Sequence, residues 1–146
     1  MSAEAPFELH PQLAADTRTV GDWPLSRVLL MNDAQFPWLI LVPRRSGLRE
    51  IFELPERDQQ QLLRESSALG RALLALFPLG EKLNIGALGN LVPQLHVHHI
   101  VRWADDAAWP APVWGRLPPL PYADDVAAIT LQRLRERLAA LMPLSG

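Results

Sequence analysis

The patterning of this 146-residue chain fits an α+β domain: an antiparallel sheet, one long central helix and one late helix. Three observations carry that reading. Two apolar runs, Ser26–Asn32 and Trp38–Val42, lie within a hairpin's reach of each other. A long segment after them repeats apolar residues every three to four positions. Two more strand-like segments, Lys82–Leu88 and Gln94–Trp103, then follow across a short loop.

Each element has a local cause. Pro11–Ala15 reads as a short helical turn and Arg18–Val20 as a short strand. SRVLLMN at Ser26–Asn32 reads as a buried strand, and Phe36-Pro37 interrupts the pattern because proline has no amide to give a central ladder. WLILV at Trp38–Val42 is a second buried strand, stopped by Pro43, with a loop at Asp33–Pro37 between the two. Its unbroken apolar run predicts a central strand covered on both faces. Leu54-Pro55-Glu56-Arg57-Asp58 opens a helix, with proline and acids in or near the first turn. Leu62, Leu69, Leu73 and Leu76 form its apolar stripe, and Pro78 and Gly80 end it. Residues 104–121, rich in proline and tryptophan, predict an extended packed tail. Asp124–Met142 predicts a second amphipathic helix with the stripe Val126, Ile129, Leu134, Leu138 and Leu141.

Composition limits the function classes. The size is that of one domain, and 49% apolar residues suffice for a core. A net charge of −2 with mixed signs gives no electrostatic argument for a nucleic-acid or membrane partner. The chain has no cysteine, which removes disulfides, thiolate ligands and a cysteine nucleophile. The start, MSAEAPFELHPQ, does not read as a signal peptide, and no apolar run is long enough to span a bilayer. The expectation is a soluble cytoplasmic protein.

The chemistry concentrates in QLHVHHIV, Gln94–Val101, which holds three of the four histidines. On a strand, side chains alternate between faces. Gln94, His96, His98 and Ile100 then share one face, and Leu95, Val97, His99 and Val101 the other. Three uses are open for His96 and His98: a nucleophile beside a donor, a pair of metal ligands, or two structural residues. A zinc site needs three or four ligands, and His99 faces the wrong way. The preceding GALGNLVP offers Gly86, Gly89 and Asn90, a loop whose backbone can approach a ligand. His99 reads as a structural residue packed under the central helix or at a subunit contact, and His10 as a surface residue. Trp103, Trp109 and Trp114 either stack on a base or pack the tail on the sheet. Arg44 and Arg45 read as a solvated pair.

The text Gly89-Asn90-Leu91-Val92-Pro93-Gln94-Leu95-His96-Val97-His98-His99-Ile100, with Asn84-Ile85-Gly86 upstream, resembles the histidine triad (HIT) family. That family carries alternating histidines on a strand after a glycine-rich turn. The resemblance covers about Arg27 to Arg102, so the whole chain, 1–146, would be one HIT-like domain with residues 104–146 packed on that core. The motif can be laid on with Gln94 in place of the first triad histidine, or with Ile100 in place of the last. The first register is preferred because it fits the spacing from Gly89-Asn90 and because glutamine keeps a polar contact. The chain is then similar to a bacterial HIT-like subgroup with a Gln-His-His motif.

The resemblance implies a nucleotide-conjugate hydrolase or nucleotidyl transferase acting at an α-phosphate through a nucleotidyl-histidine intermediate. His96 would be the nucleophile, His98 would contact the phosphate and leaving-group side, and Gln94 and Asn90 would supply amide donors. Asn32 or Asp33 would meet the ribose hydroxyls, although Asn-Asp is also ordinary turn chemistry. Asn84 would hold the phosphate or the loop that contains Gly89. The partners implied are a nucleotide or nucleotide conjugate and a second copy of the chain in a homodimer; no cofactor and no metal are implied. The alternatives are a nucleotide-binding module with little turnover and a metal-dependent hydrolase using His96 and His98.

Overall fold

The computed structural model describes residues 5–146. In chain order they form α1 (Pro11–Asp16), β1 (Thr17–Asp22), β2 (Ser26–Met31), β3 (Trp38–Pro43), a single 3-10 turn (Ile51–Glu53), α2 (Glu56–Leu76), β4 (Lys82–Gly86), β5 (Val97–Arg102) and α3 (Asp124–Ala139). The five strands make one antiparallel sheet in the order β1-β2-β3-β5-β4. All six residues of β3 are buried, as the central position of WLILV predicts.

Alternation along β3 separates two packing layers. Leu39 and Leu41 pack toward the helices, in a cluster with Leu62, Leu69 and Leu73 of α2 and Leu134 and Leu138 of α3. Trp38, Ile40 and Val42 face the opposite side, where Leu13, Val92, Ala108 and Val113 cover them. The second layer is made of α1 and of irregular chain around residues 92 and 108–114. Each fully buried leucine contributes about 2 kcal/mol through removal from water.

α2 begins at Pro55, with Glu56 and Asp58 in its first turn. Asp58 also takes a two-pronged bond from Arg45, at 2.9 and 3.3 Å. Arg44 donates to the carbonyls of Trp23 and Pro24, so the arginine pair is tied down rather than merely solvated. Glu65, fully buried in mid-helix, accepts from the amides of Leu25 and Ser26 at 2.8 and 3.1 Å. It thereby satisfies backbone donors where β2 begins.

α3 departs from its expected stripe. Its core side is Ala127, Leu131, Leu134 and Leu138, while Val126, Ile129 and Leu141 are exposed. Alanine at position 127 lets the helix approach closely, and a reading based on large apolar residues alone misses it. Among the described residues no helix is long and apolar enough to cross a membrane.

Candidate functional site

β5 is shorter than the histidine motif. Its ladder runs from Val97 to Arg102, and Gln94, Leu95 and His96 lie in the irregular segment before it. The alternation still holds where the chemistry is. The His96 and His98 rings lie 4.9 Å apart between centroids, and His99 faces α2. There its Nε2 meets the Ser66 hydroxyl at 2.7 Å and its Nδ1 meets the Val97 carbonyl at 3.1 Å. His99 is therefore a structural residue of the helical layer, as its side of the strand predicts.

Hydrogen-bond partners fix the tautomers of the other two rings. The Trp38 indole N–H donates to Nδ1 of His98 at 2.9 Å. An indole nitrogen only donates, so Nδ1 accepts and the neutral ring carries its proton on Nε2. Nδ1 of His96 lies 2.6 Å from the carbonyl oxygen of Gln94. A carbonyl only accepts, so this ring carries its proton on Nδ1 and keeps a free lone pair on Nε2. The two neighbouring rings thus present opposite faces of the same chemistry: a lone pair on Nε2 of His96 and an N–H on Nε2 of His98.

Burial, and then the neighbouring His96 and His99 rings, push His98 down to about pH 3. Protonation would also turn a second N–H against the indole. Burial likewise lowers His99 to about 4, although the Val97 carbonyl works against it. Both folded-state values lie below the ordinary 6.5, so the unfolded chain binds more protons between about pH 3 and 6.5. Stability is then full above pH 6.5 and falls as the pH drops toward the folded values. At pH 5 each ring is expected to remove about 2 kcal/mol. Denaturant unfolding at pH 7 and pH 5 measures it, and equal midpoints would show that the rings are not held neutral.

His96 and His98 line a cleft of about 700 Å³. Gly89 and Asn90 form part of its wall, with Gly89 at φ 72°, a left-handed turn conformation suited to glycine. Trp114 covers His98 with ring centroids 5.4 Å apart, and its indole N–H has no partner among the described residues. Gly86, paired with His98 across the ladder, makes room for that ring: a Cβ there would lie 3.2 Å from Trp114. The cleft continues past Asp16, Met31, Trp38 and Trp114 into a second cavity of about 340 Å³, which Asn32 and Asp33 line. No lysine or arginine lines the first cleft.

The other predicted residues have definite tasks. Asn32 accepts from the Tyr122 amide at 3.0 Å, and Asp33 accepts from Gln35 at 3.0 Å and from the Leu120 amide at 3.4 Å. Both pin the tail, and both border the second cavity. Asn84 lies away from the cleft and accepts from Arg102 at 2.8 Å. Gln94 uses both ends of its amide on the N-terminal segment: Nε2 donates to the Glu8 carbonyl, and Oε1 accepts from the His10 amide, each at 2.9 Å. His10 is half-buried and lines the cleft, a correction to its reading as a surface residue. Of the three tail tryptophans, only Trp114 lines the cleft. Sequence reasoning missed Trp38 as the partner of His98, because the register across β3 and β5 is not written in either strand alone. Among the described residues no three His, Cys, Asp or Glu side chains group as metal ligands.

Comparison with known proteins bears on the family and the fold. Residues 12–105 match the family model of the HIT domain. A histidine triad protein from Marinobacter aquaeolei VT8 has 55% identity and a TM-score of 0.91, over 94% of this chain and 99% of that one. A second, from Bradyrhizobium japonicum, has 49% identity and a TM-score of 0.88, over 91% of this chain and 98% of its own. A third, from Sinorhizobium meliloti 1021, has 41% identity and a TM-score of 0.87, over 90% and 96%. Among curated proteins, none matches.

Proposed function

The chain belongs to the histidine triad family, and we propose that it is a nucleotide-conjugate hydrolase or nucleotidyl transferase that works through a nucleotidyl-His96 intermediate. The observation that carries this is the opposed tautomers: a free Nε2 lone pair on His96 beside an Nε2–H donor on His98, at one wall of one cleft. The His96 Nε2 attacks the α-phosphorus of the conjugate and forms a P–N bond. The bond from phosphorus to the leaving group breaks, and the leaving group departs with the electron pair and takes up a proton from water. Water then attacks the same phosphorus, the P–N bond breaks, and a nucleoside monophosphate leaves with His96 restored. His98 donates to a phosphoryl oxygen throughout, because its ring stays neutral.

Gly89 and Asn90 supply backbone and amide donors beside the phosphate. The nucleoside lies along the cleft toward Asn32 and Asp33, with Trp114 as an aromatic wall. Asn84 acts at one remove, by fixing Arg102. The working unit is a homodimer, for which Leu63 on α2 and Ile85 on the sheet edge, 68% and 53% exposed, offer apolar contact.

The test is incubation with a nucleoside phosphoramidate, a quench without acid, and intact mass. A gain of one nucleotidyl group is expected. Nucleotide binding with neither adduct nor turnover would favour a binding module. Activity lost to a chelator and restored by zinc would favour a metal-dependent hydrolase.

A further inference from the structure

The motif strand supplies two imidazoles to the cleft, and a third arrives from elsewhere in the chain. His10 lines the same cleft as His96 and His98, although it lies 86 residues before His96 in sequence. Its ring is oriented at one nitrogen: Nδ1 accepts from the Gln12 amide at 3.0 Å, capping α1. The neutral ring therefore carries its proton on Nε2, and among the described residues no protein acceptor takes that N–H.

Gln94 explains how the N-terminal segment is kept there. Its side-chain amide grips residues 8 and 10 at two points, and its main-chain carbonyl holds Nδ1 of His96. One residue therefore sets both the nucleophile and the strap that carries His10. A glutamine suits this task, because its amide offers an acceptor and a donor at once to a passing backbone. An imidazole at position 94 would offer only one nitrogen of each kind, in a fixed ring.

We propose that His10 is the third imidazole of the site, donating from Nε2 to the substrate's phosphoryl group, and that Gln94 is the positioning residue that holds it there. The inference rests on the nucleotidyl-transfer reading above. The motif is then incomplete on the strand while three rings still surround the cleft.

Substitutions at His10 separate contact from capping. His10→Asn keeps an acceptor near the position of Nδ1, so the cap of α1 survives, but it withdraws the Nε2–H. His10→Gln places an amide N–H near the position of Nε2. With a nucleoside phosphoramidate as substrate, His10→Ala and His10→Asn are both expected to lower kcat/KM by about tenfold to hundredfold, and His10→Gln to recover a large part. Gln94→Ala is expected to give a loss of the same size. The double variant His10→Ala/Gln94→Ala is then expected to be no worse than either single one, because both remove the same contact. Wild-type activity in His10→Asn would show that the ring is only a cap, and additive losses would separate Gln94 from His10. Either result overturns this inference while the wild-type adduct leaves the proposed function standing. A wild type that forms no adduct and shows no turnover brings down both.

Discussion

Replacing His96 by alanine is expected to abolish the nucleotidyl adduct and to lower turnover on the order of ten-thousand-fold. Losses of that size follow removal of a catalytic nucleophile. The lone pair on Nε2 of His96 lies beside the Nε2–H of His98, whereas the ring of His98 is committed to Trp38 through Nδ1. The fold should tolerate the change, since the carbonyl that held Nδ1 can turn to water at the edge of the irregular segment before β5. Nucleotide affinity is expected to stay within about threefold of wild type, because His98, Gly89 and Asn90 remain. Calorimetric titration with a nucleoside monophosphate, beside intact-mass detection of the adduct, separates the two effects. An adduct that persists in His96→Ala would move the nucleophile elsewhere and sink the mechanism.

The largest expected loss of stability lies outside the cleft, at Asp106. Arg102 and Asp106 form a buried two-pronged pair at 2.7 and 2.9 Å. The guanidinium also donates to Asn84 and to the Ala111 carbonyl, both at 2.8 Å, and lies over the rings of Phe36 and Trp109. Burial works to raise the Asp106 carboxyl, but the Arg102 bonds and the amides of Trp103 and Ala108 hold it below its usual range. Asp106→Ala would leave a cation buried with no counter-charge, at a cost of about 3–5 kcal/mol. For a chain of this size Tm should fall by roughly 10 °C in thermal unfolding. A fall of less than about 2 °C would show that the pair adds little. Catalysis should suffer as well, because the segment tied down by this pair leads directly to Trp114 over His98.

The sequence made the sheet, the long helix and the shared face of His96 and His98 legible for simple reasons. Period-two alternation separates His98 from His99 without any tertiary knowledge, and the apolar run of Trp38–Val42 marks a strand covered on both sides. The remainder of the site depended on contacts far apart in sequence. Asn32 and Asp33 are turn residues that receive the tail, and the tail's path over the sheet has no periodicity to announce it. The alternation of the motif places Gln94 on a strand, yet the ladder begins only at Val97. Its side chain turns instead to a segment more than 80 residues away. Trp38 carried only an apolar signal, and its indole N–H gained meaning from the neighbour that the strand order gives it.

The walls around His96 and His98 come from segments on either side of them in sequence, so they are completed at different stages of biosynthesis. The cleft needs residues between 10 and 16, Met31 and Trp38, the segment from 88 to 98, and residues 114–115. Asp33 and Asn32 then wait for Leu120 and Tyr122. Contacts of such long separation close late in folding, because the intervening chain must first be ordered. On the ribosome, His96 and His98 would emerge before the later wall of the cleft at Trp114 and Gly115. A chain made only as far as β5 would therefore carry the proposed nucleophile without a binding site, and competence for chemistry would arrive only once residues 114–122 have been made.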